Sequence, residues 1–139
     1  MNTFHLNVVS LKNVFYDGPC EAVTVPGIDG ETGILAGHEP MVMAIKAGEM
    51  RITVNDKQDI SAVGCGFVEI TGDKVVVITD FATRSDEIDV ERAERAKMRA
   101  EERMREKQSR IEYARSRAGL ARAMARLQVA KKAGGHHTR

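Results

Sequence analysis

The sequence changes character at Arg84. All three prolines (Pro19, Pro26, Pro40) and nine of the twelve glycines lie before it, while the stretch after it is built largely from Ala, Arg, Glu, Met and Lys. Gly and Pro punctuate short extended segments, whereas the second set are strong helix formers. One uniform layer cannot satisfy both halves. Residues 1–84 are therefore expected to form a β unit and residues 85–139 a helical one. Charge divides at the same place: 6 Lys/Arg against 11 Asp/Glu through Arg84, then 15 against 9 from Ser85 onward, although the whole chain carries a formal charge of only +1. Two units with different partners are implied.

In the first unit the apolar period is two. Phe4, Leu6 and Val8 alternate with His5 and Asn7, as a half-buried strand requires. Similar runs occur at Asn13–Tyr16, Glu21–Val25, Val42–Lys46, Met50–Val54, Ile60–Val63, Phe67–Thr71 and Val75–Thr79. The intervening Asp17-Gly18-Pro19, Pro26-Gly27, Asp29-Gly30, Asn55-Asp56 and Gly72-Asp73 read as turns. Many short strands without helices between them argue for a sandwich or barrel.

In the second unit the period lengthens. Ser85-Asp86-Glu87 offers a cap and an acidic first turn, and Ala93, Ala96, Ala100 and Met104 form one stripe of a helix expected to stop near Gln108. Ser109-Arg110-Ile111-Glu112 fits a capping box for a second helix, with a stripe of Ala114, Ala118, Ala121 and Ala125 and an end at Gly134-Gly135. A short link between two helices makes an antiparallel hairpin. Alanines bury little apolar surface, so this hairpin should open more easily than the β unit.

Catalytic and metal chemistry find no footing in the sequence. Residues Gly30 to His38 are glycine-rich but lack the Gly-Lys-Ser/Thr ending of a phosphate loop, and Gly64-Cys65-Gly66 lacks a third glycine. Both segments are expected to be tight turns. His5, His38, His136 and His137 show no metal-ligand spacing, and no nucleophile–base set or carboxylate pair stands out. No catalytic residue, no metal and no required cofactor are therefore assigned. Cys20 and Cys65, without C-x-x-C spacing, are expected to be small buried hydrophobes carrying free thiols in a reducing compartment. The start, Met1 to His5, lacks a signal-peptide pattern, and no apolar run is long enough to span a bilayer.

Charge on the helices is uneven. From Asp86 to Lys107, 7 basic residues face 8 acidic ones, a solvated arrangement that includes the i,i+4 pairs Glu91–Arg95 and Glu101–Arg105. From Ser109 to Lys132, 7 basic residues stand with Glu112 as the only acid, which calls for an anionic partner. Folding the hairpin about Gln108 sets Arg92 between the levels of Arg122 and Arg126, with Arg99 about 10 Å further along the first helix. Two arrangements remain open on geometry alone: guanidiniums bridged by a polyphosphate, or long side chains splayed into water. A nucleic-acid module is disfavoured by the acidic β unit and the scarcity of aromatic side chains. A helix lying in a membrane surface is disfavoured by a stripe without Trp, Phe or Leu.

Several segments together resemble one family. Gly30-Glu31-Thr32-Gly33-Ile34-Leu35-Ala36-Gly37-His38-Glu39-Pro40 is similar to the GELGILPGHxP signature of bacterial F-type ATP synthase ε subunits, with Ala36 in place of the usual Pro. Gly64 to Ile70 resembles their SGGFLEV strand, and Ile88-Asp89-Val90-Glu91-Arg92-Ala93 fits the [IL]DxxRA pattern of members that bind ATP. The resemblance runs from about Phe4 to Lys131. It implies an α+β chain in two units, an N-terminal antiparallel β-sandwich of about ten strands and a C-terminal antiparallel two-helix hairpin. It further implies a non-catalytic central-stalk subunit, peripheral on the cytoplasmic side of the bacterial cell membrane, that binds the γ subunit and the c-ring. Glu31 and His38 match positions at those contacts. Extended, the hairpin of relatives enters the catalytic head of α and β subunits and restrains ATP hydrolysis; Arg115, Arg117, Arg122 and Arg126 belong to its basic second helix. ATP is implied as a regulatory ligand at Ile88, Asp89, Arg92, Ala93, Arg99, Arg122 and Arg126. Thr83 stands where ATP-binding relatives can carry Glu.

Overall fold

A computed structural model describes residues 2–137. Ten strands come first: β1 Phe4–Ser10, β2 Val14–Cys20, β3 Ala22–Gly27, β4 Gly30–Leu35, β5 Met41–Ile45, β6 Gly48–Val54, β7 Lys57–Val63, β8 Gly66–Thr71, β9 Lys74–Thr79 and β10 Ala82–Arg84. One turn of 3-10 helix at Ser85–Glu87 leads into α1 Val90–Arg105 and α2 Arg110–His137. The strands form two layers. β10, β7, β6 and β3 lie side by side, with β4 also on β3, while β5, β8, β9, β1 and β2 form the other layer. A single residue pair, Gly27 opposite Ile45, joins them. The chain is thus a β-sandwich followed by a helical hairpin.

Alternation builds the core. Phe4, Leu6 and Val8 of β1, Val23 and Val25 of β3, Val68 and Ile70 of β8, and Val75 and Val77 of β9 all turn inward and are buried. Inward residues of the two layers interdigitate, so each strand loses its apolar face to water only when the opposite layer is present.

Several expectations need correction. Asp17-Gly18-Pro19 is not a turn but part of β2, whose register with β1 runs from Phe4 opposite Cys20. β2 ends the sheet order, and an edge strand tolerates a proline that cannot donate to the ladder. Pro26-Gly27 closes β3, and Gly30–Leu35, expected as a turn, is a strand paired with it from Gly27 opposite Gly30 to Ala22 opposite Leu35. Two glycines weakened the strand signal there. Asn55, Asp56 and Gly72 do turn the chain, each with positive φ. The sandwich is antiparallel except where β1 runs parallel to β9, Ser10 opposite Thr79.

The hairpin also departs in detail. The cap of α1 is Asp89 rather than Ser85: its Oδ1 accepts from Arg92 N at 3.1 Å, because Ser85–Glu87 is spent in the 3-10 turn. α1 stops at Arg105 and α2 continues through Gly134-Gly135, since glycine weakens a helix without forcing its end. The capping box forms as expected, with Glu112 N donating to Ser109 Oγ at 3.2 Å and Ser109 N to Glu112 Oε1 at 3.4 Å. On α1, Ala93 and Ala100 are buried. On α2 only Ala125 of the expected stripe is buried: Ala114, Ala118 and Ala121 are exposed, while Ser116, Ala123, Val129 and Ala133 are buried. A period read for one interface misplaces a helix with two. α2 packs on α1 and also leans on β6 and β7 of the sandwich.

Candidate functional site: a cationic cleft in the folded hairpin

Asp89 starts the site. By capping α1 it fixes the first turn, and Ala93 N returns a hydrogen bond to Asp89 O at 3.0 Å. Small buried residues, Ala93 and Ala100, let α2 approach closely. Between the helices opens a cleft of about 960 Å³, extended at one end by the sandwich. It is lined by Ile88, Asp89, Arg92, Ala93, Arg99, Arg122 and Arg126, and by Thr83 from β10. All seven residues expected at an ATP site therefore lie along one cavity.

The electrostatics of this cavity are lopsided. Eight Lys/Arg side chains line it against four Asp/Glu (Glu87, Asp89, Glu106, Glu112). Among the described residues the ion pairs within 4 Å involve other groups, and none of the eight is paired. Arg126 feels this most. Burial, then the neighbouring Arg122, pushes its guanidinium pKa down; Asp80 opposes the shift and Arg92 adds to it. A guanidinium stays charged regardless, so the shift marks a cation held at a cost that an anion would relieve.

What seats Arg126 is a feature of the sandwich that sequence reasoning missed. Its guanidinium lies 3.8 Å above the centre of the Phe81 ring, a cation–π contact. Phe81 is held in turn by the corner after β9: Gly64 N donates to Phe81 O at 3.0 Å, and Asp80 N to Cys65 O at 3.0 Å. A side chain at position 64 would meet Asp80 Oδ1 at 1.5 Å. Gly64-Cys65-Gly66 is thus a close-approach segment rather than a left-handed turn. The G-x-G spacing was the available signal, but it names no partner.

The remaining expected site residues lie elsewhere. Arg115 lines the cleft with Arg122 and Arg126, whereas Arg117 is exposed outside it. Glu31, on β4, makes a two-pronged ion pair with Arg51 of β6 at 2.8 and 3.0 Å, which draws its carboxyl pKa down. His38 sits in the turn after β4, its Nδ1 2.9 Å from Glu39 O. Arg51 also binds Glu49 at 2.6 Å, and Glu49 takes Lys132 of α2 at 2.9 Å. Glu31, Arg51, Glu49 and Lys132 form one alternating chain of charge from β4 to the hairpin. No sequence signal links positions 31, 51, 49 and 132. Both cysteines are free, but only Cys20 is buried as expected; Cys65 is exposed, because it sits in the corner before β8 and not on an inward face of a strand. Among the described residues no helix is long and apolar enough to cross a membrane, and no cluster of three metal-ligating side chains occurs.

Comparison with known proteins decides the family. Residues 3–85 match the domain described as ATP synthase, Delta/Epsilon chain, beta-sandwich domain, and residues 86–131 match the long alpha-helix domain of the same chain. The chain belongs to the ATP synthase delta/epsilon family. An ATP synthase epsilon chain from Ruminiclostridium cellulolyticum is 46% identical over 129 residues, 93% of this chain and 96% of the relative. One from Desulforamulus reducens is 40% identical over 129 residues, 93% and 98% of the two chains. A chain in the cryo-EM structure of Euglena gracilis mitochondrial ATP synthase, OSCP/F1/c-ring, superposes with a TM-score of 0.78 over 92% of this chain and 81% of its own. At 23% identity that likeness speaks for the fold. The two helices of the hairpin fall within the segment that matches the family's long alpha-helix domain, and the ten strands within the segment that matches its beta-sandwich domain.

Proposed function

We propose that this chain is the non-catalytic central-stalk subunit of a proton-translocating F-type ATP synthase, at the cytoplasmic face of the bacterial membrane. It couples the γ subunit to the c-ring and restrains ATP hydrolysis through a C-terminal hairpin that responds to ATP. The observation that carries the regulatory part is the cleft of unpaired cations gathered by the folded hairpin. Three of the four arginines expected to engage the catalytic head, Arg115, Arg122 and Arg126, line that cleft. The same positive charge thus serves one anionic partner at a time. ATP in the cleft supplies phosphates to the arginines and holds the helices together; without it the charge is available to acidic surface on the α/β head.

The outer face of the second layer supports the γ assignment. Phe67, Ile78, Val9 and Val14 are successive cross-strand partners on β8, β9, β1 and β2. Phe67, Ile78 and Val14 are all more than half exposed, while α2 leans on the other layer. An apolar row of this kind marks a protein interface. Glu31 and His38, on and just after β4, are the residues assigned to the c-ring and γ contacts.

A ligand that binds only the folded hairpin stabilises it by RT ln(1 + [L]/Kd), about 2.7 kcal/mol at a hundredfold excess. Shifting a two-state hairpin from about 1:99 to 99:1 takes about 5.5 kcal/mol, so ATP acts on an equilibrium already near balance. The test is thermal denaturation of the full chain with millimolar ATP, ADP or neither. ATP is expected to raise the melting temperature more than ADP, and Arg92→Ala or Arg126→Ala to abolish the rise. No heat on titration and no melting shift would remove ATP from the mechanism and leave the stalk assignment standing.

A further inference from the structure

The β1–β2 connection is a tight turn braced by its own hydrogen bonds. Ser10 N donates to Asn13 O at 2.9 Å, and Lys12 N and Asn13 N both donate to Ser10 Oγ at 3.3 Å. Its position follows from register. β1 runs parallel to β9 with Ser10 opposite Thr79, so the turn projects past the end of β9, where the chain makes the Asp80–Phe81 corner. Phe81 is the seat of Arg126. Lys12 lines, from the sandwich side, the same cleft that Arg92, Arg122 and Arg126 line from the helices. No carboxylate lies within 4 Å of its ammonium among the described residues. Lys12 is thus an unpaired, exposed cation on the cleft wall, carried by a turn whose bracing does not use its side chain.

From this placement we infer that Lys12 is a phosphate-binding residue of the cleft, contributed by the sandwich, so that a nucleoside triphosphate bridges hairpin and sandwich instead of only joining the two helices. The inference rests on the ATP reading above and deepens it. Lysine suits the part: a compact point charge on a flexible stem follows a polyphosphate without demanding the fixed geometry of a guanidinium. Two consequences distinguish the bridged arrangement from one closed within the hairpin. Affinity depends on a residue far from both helices in sequence, and nucleotide protects the contacts of α2 with β6 and β7 as well as those between α1 and α2.

The experiment is calorimetric titration of the full chain with ATP, comparing wild type, Lys12→Met and Lys12→Arg. Amide hydrogen exchange of α2 with and without ATP accompanies it. Loss of one charge-assisted contact from an exposed lysine is expected to raise Kd about tenfold in Lys12→Met, with Lys12→Arg within about threefold of wild type. The melting temperature of the nucleotide-free chain should not move, because Lys12 is exposed and braces nothing through its side chain. At saturating ATP, Lys12→Met should show less protection of the α2 segment against β6 and β7 than wild type. Wild-type affinity in Lys12→Met, with equal protection of that segment, overturns the bridge and leaves the ATP site intact. Absence of ATP binding to the wild type overturns both together.

Discussion

Removal of Lys132 tests how the folded hairpin is held to the sandwich. Its ammonium lies 2.9 Å from Glu49 Oε2, with Lys132 about half exposed and the Glu49 side chain at 16% of full exposure. Coulomb attraction between unit charges 4 Å apart is about 4 kcal/mol at an effective dielectric of about 20. Burial of Glu49 and solvent around Lys132 offset most of it. Arg51 remains on Glu49 at 2.6 Å when Lys132 is gone, so no bare buried charge is left behind. The net contribution is therefore that of a partly exposed pair, about 1 kcal/mol, or about fivefold in the docking equilibrium of α2. Lys132→Met should speed amide exchange across the C-terminal half of α2 by about that factor, and high salt should narrow the difference. The sign with pH follows from Glu49. Burial raises its pKa, but hydrogen bonds from Lys132 and Arg51 outweigh this and leave it lowered. A depressed carboxylate stabilises above its unfolded value of about 4.5, and that stability is lost as pH falls through the lower folded value. The gap between wild type and Lys132→Met should be full at neutral pH and close in acid. Equal exchange in the two proteins at low salt and neutral pH, or additivity of Lys132→Met with Glu49→Gln in a double-mutant cycle, refutes the latch.

Other expectations are as direct. Gly66→Ala places a methyl 1.8 Å from Ile78 O, backbone that cannot swing away, and should cost about 3 kcal/mol or prevent folding, read by urea denaturation. A chain ending at Ser85 keeps the entire sandwich core and should fold, join γ and support ATP synthesis, while the assembled enzyme loses restraint on hydrolysis; failure to fold or assemble refutes two separable units. Replacing Arg115, Arg117, Arg122 and Arg126 together with Ala should relieve inhibition in the reassembled enzyme without impairing assembly. Hydrolysis kinetics identical to wild type would remove charge as the inhibitory agent.

Local properties were legible in the chain. A period of two placed Phe4, Leu6 and Val8 inside, Asn55-Asp56 and Gly72-Asp73 turn as their residue types demand, and Ser109–Glu112 caps α2 through its own side chains. Each depends on neighbours within a few positions. The composition break at Arg84 coincides with the change from strands to helices, and helix periodicity with a fold about Gln108 placed Arg92 near Arg122 and Arg126. The misses share one physical origin. β4 is a strand because β3 supplies its hydrogen bonds, not because Gly30-Glu31-Thr32-Gly33 prefers extension. β2 runs straight through Gly18-Pro19 because it is an edge, a fact of the assembled sheet. α2 buries Ala123, Val129 and Ala133 instead of Ala114, Ala118 and Ala121 because it answers to the sandwich as well as to α1. Phe81 beneath Arg126 and Lys132 on Glu49 join residues 45 and 83 positions apart, and Lys12 lines a cleft otherwise built mostly by the helices. Propensity and period act along the chain, whereas partners of this kind are set by how strands order and layers stack, and only the tertiary structure decides those.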